Sequence, residues 1–425
     1  MSSTWRLPPS QRPSVVLALS ALALGFWLRA SSRAQADSVD PLLPKRVVAG
    51  APHGAAPAER VDGRRTGRAT SRLPFPPTEV WQRRVSGGLD VSPIVDAQGS
   101  IVAALTSPHV AKLAQDGREL WRTHVGAPAL APPAILSDGT IVVITTAGQA
   151  AGLAPDGGVK FTSSLGLKGK DTDVAPLATT EGGLVVAAGR SIVAIDADGI
   201  VRARAALEER ASAALVAGPE GTLVTTESGT VYLFRPPGAP RRVGAFGGAL
   251  RRGAVLADAR TLLGVVEGKN LVALDLPTGT AHVRSGAVSG SGYFDGPPAV
   301  AFSGRAVTGT YGGLLLEVDS SGAERALATL EKQLITGSPD AGAVAGGALL
   351  AVDLRQSPPV VVDPDGRVAF ARVAGRVGVV APDGAVAIVN ERLCGTPLAV
   401  QPAGERRMLV ACRDGTLWMI GEAQK

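Results

Sequence analysis

Cysteine, histidine and aromatic residues are scarce in this chain of 425 residues. Its four histidines, His53, His109, His124 and His282, are nowhere paired at ligand spacing, so no metal-binding motif is present. The closest approach to a nucleophile elbow is Val288-Ser289-Gly290-Ser291-Gly292, which has Ser289 where the motif needs glycine. The apolar run VVLALSALALGFWL, 15–28, has 14 residues, whereas a membrane-spanning helix needs about 20. What the chain does have is turn formers: 53 Gly and 31 Pro. High apolar content with many turn residues predicts short strands joined by tight turns rather than long helices.

The N-terminus reads as a targeting segment. Arg6 and Arg12 precede the apolar run, and Ala34-Gln35-Ala36 supplies a small-x-small cleavage site. Residues 1–36 are therefore an export signal, or an uncleaved anchor formed by 15–28, since Arg29 and Arg33 lie unusually between the run and the cut. Both readings place the remainder outside the cytoplasm, periplasmic or secreted. No Cys follows the run closely and no Arg-Arg pair precedes it, which excludes a lipidated mature N-terminus and gives no support to twin-arginine export.

Residues 37–78 read as a disordered basic linker rich in Pro, Ala and Arg, without periodicity. They matter for charge. Residues 1–78 carry 11 Lys and Arg against four acids, which leaves 32 against 33 in the rest. The high isoelectric point thus belongs to the N-terminal part and implies no nucleic-acid partner. A second basic group, Arg241, Arg242, Arg251 and Arg252, flanks VGAFGGAL and reads as a solvated outer loop.

Two interleaved series of turns follow. Gly117, Gly157, Gly199, Gly238, Gly279 and Gly322 are spaced by 40, 42, 39, 41 and 43 residues. Gly99, Gly139, Gly182, Gly221, Ala259 and Gly304 form a second series spaced by 40, 43, 39, 38 and 45. One period near 41 with four strand-like runs per unit predicts a β-propeller. In one unit, PPAIL (132–136), TIVVITT (140–146), AAGLA (150–154) and GVKFTSS (158–164) are strands A to D. The chain ends after three strands of a last unit, 396–422, while EVWQRRV (79–85) has the character of a lone fourth strand. Pairing the two closes an eight-bladed ring over 79–422 and leaves no open ring edge. Between 330 and 395 two registers compete, and 357–391 is preferred as the whole of blade 7, with a hairpin at 339–353 left over.

LVALDLPTG (271–279) and SIVAIDADG (191–199), with the Trp of ELWRTHV (119–125), resemble the pyrroloquinoline-quinone-type propeller repeat. That resemblance implies a family holding both quinoprotein dehydrogenases and non-enzymatic scaffolds, including the propeller lipoprotein of outer-membrane barrel assembly. A quinoprotein alcohol dehydrogenase of the family implies adjacent cysteines and a Trp stacked on the quinone, with a haem-attachment motif in some members. This chain has no adjacent cysteines and no Cys-x-x-Cys-His, and its tryptophans in the repeats, Trp81, Trp121 and Trp418, read as strand packing.

Asp196, Asp275, Asp319 and Asp363 each close an apolar strand before a turn. Equivalent positions on different blades do not converge, so these carboxylates read as turn caps rather than as ligands. Cys394 and Cys412 are symmetric about Ala403, the expected centre of the last A–B hairpin. In an exported protein this predicts a disulfide; a bulge would instead leave two buried thiols. The expected protein is a monomeric, non-catalytic scaffold without cofactor or metal, binding a protein or peptide through loops on one propeller face. The alternatives are a quinone-dependent dehydrogenase or degenerate small-molecule-binding relative, and a sensor ectodomain anchored in a membrane by 15–28.

Overall fold

A computed structural model describes residues 56–286, 294, 296–310, 313–330, 358–372, 375–390, 393 and 396–423. The targeting segment, the run Val288-Ser289-Gly290-Ser291-Gly292, the 339–353 hairpin and Cys394 lie outside the described residues.

Eight four-stranded antiparallel sheets form an all-β propeller. Blade 1 shows the pattern: strand A is Ile94–Val95, B is Ile101–Ala104, C is His109–Leu113 and D is Glu119–His124. The A strands lie innermost; Ile94–Val95, Ala134–Ile135, Leu177–Ala178, Ala299–Val300 and Val361–Val362 have two residues each, while Val216–Gly218, Leu250–Leu256 and Pro397–Pro402 are longer. Blade 7 is built from 361–390, which settles the register in favour of the 357–391 reading. Blade 8 takes Pro77–Arg84 as its outer strand, paired antiparallel with Thr416–Glu422, so the ring closes as the sequence implied.

The core is a set of wedges between neighbouring blades rather than one central mass. Strand B of blade 1 sends Ile101 and Ala103 toward blade 8, and Val102 and Ala104 toward blade 2. Strand B of blade 2 divides likewise, with Ile141 and Val143 facing blade 1 and Val142 and Ile144 facing blade 3. Side chains alternate across a strand, so a sheet buried on both faces needs apolar residues at every position. The unbroken runs IVAA and IVVI meet that need. Outer strands alternate instead, as in ELWRTH, because solvent covers one side.

The turns are locked locally. The Asp275 carboxylate accepts hydrogen bonds from the Thr278 amide and hydroxyl at 2.9 and 2.8 Å. Asp196 accepts from the Asp198 and Ile200 amides, Asp319 from those of Ser321 and Ala323, and Asp363 from those of Arg367 and Leu73. The carboxylates are turn caps, as the repeat argument required. Asp363 differs in being fully buried. Burial pushes its carboxyl above the usual range, even though both amides favour the charged form.

Two readings need correction. The first concerns 37–78. Residues 56–76 are packed into the propeller, so among the described residues the packed unit does not start at 79. The second concerns the last hairpin. Pro402 pairs with Met408 and Pro397 with Cys412, so its centre lies near residue 405, not Ala403. The symmetry argument for Cys394 opposite Cys412 therefore fails. The register shift between Pro397 and Ala399 brings the centre back by only half a residue. Cys412 is nonetheless buried and disulfide-bonded.

Candidate functional site at the propeller axis

A short inner strand exposes one row of backbone groups toward the axis of a ring. In an empty channel, water would have to satisfy them. Here the chain itself does so. Residues 56–73 run as a strap past the inner strands, meeting a new blade every few residues. The amides of Val95, Ile135, Ala217, Leu256, Val300 and Val362 donate to the carbonyls of Ala56, Pro57, Gly63, Arg64, Thr66 and Gly67 at 2.7–3.2 Å. These donors occupy equivalent positions in blades 1, 2, 4, 5, 6 and 7. At blade 8, Ser71 Oγ donates to the Gly404 carbonyl at 2.9 Å and the Arg406 amide to the Arg72 carbonyl at 2.8 Å.

Three arginines carry the remaining contacts. Arg65 is fully buried. Its Nε donates to the Leu215 carbonyl, Nη2 to that of Pro176 and Nη1 to that of Glu59, each at 2.8 Å. One guanidinium thus joins blades 3 and 4. Arg60 donates to the carbonyls of Ala254 in blade 5 and Pro298 beside blade 6. Arg68 donates to the carbonyls of Val300 and Ala301 at 2.7 and 2.9 Å, and lies 5.3 Å from the centre of the Phe302 ring. The planar guanidinium presents several fixed donors, which suits it to bridging two carbonyls that a lysine would not span.

Local sequence shapes the strap. Asp62 caps a tight turn: its carboxylate accepts from the Thr66 amide at 3.0 Å and from the Thr66 hydroxyl, while the Arg65 amide donates to the Asp62 carbonyl at 3.0 Å. Arg60, Val61 and Arg65 take φ of 55°, 78° and 61°. Such values are costly away from glycine, especially for β-branched valine, and persist where surrounding contacts enforce them. Burial pushes the Arg65 guanidinium below its ordinary pKa, opposed by the charges of Glu59 and Asp62.

Beside the strap, between Glu59, Arg60 and Gly67 and the inner strands of blades 7 and 8, about 40 Å³ of space remains. Pockets that enclose a cofactor or drug-sized ligand measure roughly 300–1,000 Å³. A shallow groove of about 200 Å³ lies away from the axis, between Phe302, Arg325 and Asp363.

On the outside, aromatic side chains dock blade to blade. Trp81 Nε1 donates to the Gln115 carbonyl and Trp121 Nε1 to the Pro155 carbonyl, both at 2.9 Å and both across 34 residues. Each indole covers the C–D turn of the next blade. A Cβ placed on Gly157 would lie 2.7 Å from the Trp121 ring, and one on Gly199 2.3 Å from Phe161. Both glycines also need positive φ, 92° and 77°. The sequence reading took these aromatics as packing within strands, whereas they join adjacent blades. A family model described as outer membrane protein assembly factor BamB matches residues 64–246, from the strap to the outer strand of blade 4.

Over residues 64–246 the chain is thus similar to the pyrroloquinoline-quinone-type repeat.

Two solved structures overlay the chain with little sequence in common. BamB from Moraxella catarrhalis shares 16% identity at a TM-score of 0.59, covering 81% of this chain and 99% of that one. The computationally designed Ika8 protein shares 13% identity at 0.60, covering 80% and 98%. At these identities the likeness speaks to fold alone. No curated protein sequence matches the chain.

Other sequence candidates are dispersed. His109 and His124 face each other across strands C and D of blade 1, edge to face with ring centres 5.1 Å apart. Their pairing arises from strand register and was invisible at a separation of 15 residues. Trp418 is buried between blades 7 and 8. Arg241 and Arg242 are exposed on the outer strand of blade 4. Among the described residues, no group of three or more His, Cys, Asp and Glu side chains is arranged to hold a metal ion.

Proposed function

We propose that this protein is a non-catalytic, extracytoplasmic β-propeller that binds a protein partner as an assembly scaffold. The observation that carries this reading is the filled axis. The equivalent central space is where a ring of blades offers convergent groups to a small molecule, and here residues 56–73 occupy it. The cavity beside Glu59, Arg60 and Gly67 holds about 40 Å³, too little for a quinone-sized cofactor. Recognition then falls to the loops and outer strands, which differ between blades. The family model, whose description is an outer-membrane protein assembly factor, supports the same class of role.

The localisation follows from the N-terminal apolar run and small-x-small site together with that family likeness. Crosslinking in intact cells, followed by reassembly of the captured pair from purified components, tests the proposal. A one-to-one complex that withstands purification is the expected result. Stoichiometric binding of pyrroloquinoline quinone with Ca²⁺, accompanied by dye reduction, would overturn it.

A further inference from the structure

The strap makes contacts of a kind that a bound peptide makes. Its main chain meets equivalent amides on six blades, and the guanidinium groups of Arg60, Arg65 and Arg68 donate to main-chain carbonyls, while Arg72 pairs with Asp365. The acceptors Pro176, Leu215, Ala254, Pro298, Val300 and Ala301 come from blades 3 to 6, far from the strap in sequence, with separations of 111 to 238 residues. We propose that the inner ring is a receptor site for an extended arginine-bearing peptide, and that residues 56–73 are its ligand, held by the site and not by covalent continuity with the outer strand of blade 8.

Three features support this. Arg60 spans blades 5 and 6, Arg65 spans blades 3 and 4, and Arg68 binds blade 6 alone, so the site reads both spacing and residue type. The carbonyls that receive Arg65 are buried, and only a cation with several donors replaces their lost water. Among the described residues, the strap's main-chain hydrogen bonds to blades 1 to 7 are confined to these inner contacts and, at blade 7, the Asp363 carboxylate and the Arg367 guanidinium. Its removal therefore leaves the ladders of those blades intact. The proposal concerns the axis alone and stands whether or not the outer surface binds a partner.

The test uses the full chain with a specific protease site inserted at the exposed Pro76, cut after folding. The fragment ending at the cut is expected to co-elute with the ring in native buffer. It should exchange with an excess of fluorescent synthetic peptide 56–73, and the same peptide carrying R65A should bind about 100-fold more weakly, a difference of about 2.8 kcal/mol. Immediate loss of the fragment from a ring that stays folded, or equal binding of both peptides, would overturn the proposal. Amide hydrogen exchange on the uncut R65A protein gives a second measurement. Faster exchange at Ala217, Leu256, Val300 and Val362, with strands B and C still protected, supports a separable site; uniform acceleration across whole blades contradicts it.

Discussion

Replacing Arg65 with alanine should destabilise the ring more than any other single change at the axis. The side chain is fully buried and makes three hydrogen bonds of 2.8 Å, to the carbonyls of Glu59, Pro176 and Leu215. Alanine leaves the latter two acceptors facing a cavity. An unsatisfied buried polar group costs about 1–3 kcal/mol, so two give roughly 2–6. Against this, the guanidinium no longer has to be stripped of water, a cost visible in its lowered pKa. The balance is about 3 kcal/mol of net destabilisation, near the lower end for removing one member of a buried charged network. Equilibrium urea unfolding, read by tryptophan fluorescence, measures this as a lower midpoint. Arg65→Lys keeps the charge but reaches fewer acceptors, and should recover less than half of the loss. A midpoint within error of wild type for Arg65→Ala would refute the view that Arg65 anchors the strap to blades 3 and 4.

Further predictions concern the outer rim, the disulfide and pH. Trp121→Ala should cost about 2–3 kcal/mol, below the usual range for a fully buried Trp because the ring is partly exposed, and Gly157→Ala a similar amount through its φ of 92° and the Trp121 ring; urea midpoints check both. Non-reducing peptide mapping should link Cys412 to Cys394, and reduction should cost about 3 kcal/mol for a loop of this length. Recovery of both as free thiols from oxidatively folded protein would contradict the pairing. Asp275 is held below its ordinary pKa by the Thr278 amide and hydroxyl, and Asp319 by the Ser321 hydroxyl and the Ala323 amide. Burial pushes Asp196 up, but the Ile200 amide and Arg202 outweigh it and hold it low. A lowered folded pKa contributes stability that is present above the unfolded value and lost as pH falls through the folded one. Stability should therefore drop below about pH 4, where unfolded aspartate titrates. Asp363, raised by burial, works in the opposite sense, gaining as it protonates. An unchanged urea midpoint down to pH 2 would exclude the turn caps as contributors.

The propeller was legible because its signals are local and repeated. Asp-Gly turns, unbroken apolar runs such as IVVI and a period near 41 each report on a few residues, and eight copies reinforce them. The strap was not legible for the converse reason. Its partners are scattered over the whole ring, so its buried residues Ala56, Ala58, Val61, Arg65, Ala69 and Leu73 follow no strand or helix period. Its composition, rich in Arg and Gly, is also that of a solvated spacer. One signal was present: Asp62-Gly63 followed by Thr66-Gly67 is turn chemistry that a disordered linker does not need. The hairpin register at Cys412 was missed by about two residues at its centre, because turn position and bulges decide register and the sequence around 402–406 marks neither.

The order of residues along the chain has a consequence for how the molecule matures. Residues 56–84 supply both the axial strap and the outer strand of blade 8, and their partners extend to Glu422. Synthesis runs from the N-terminus, so the earliest propeller segment to emerge is the last to find its place. Blades 1 to 7 can each form their ladders as they appear, since all four strands are contiguous in sequence. The strap and the closing strand must wait, extended and basic, until the final hairpin arrives. A chain stopped before residue 416 lacks the strand that pairs with Pro77–Arg84, so completion of the C-terminus acts as a checkpoint on the whole ring.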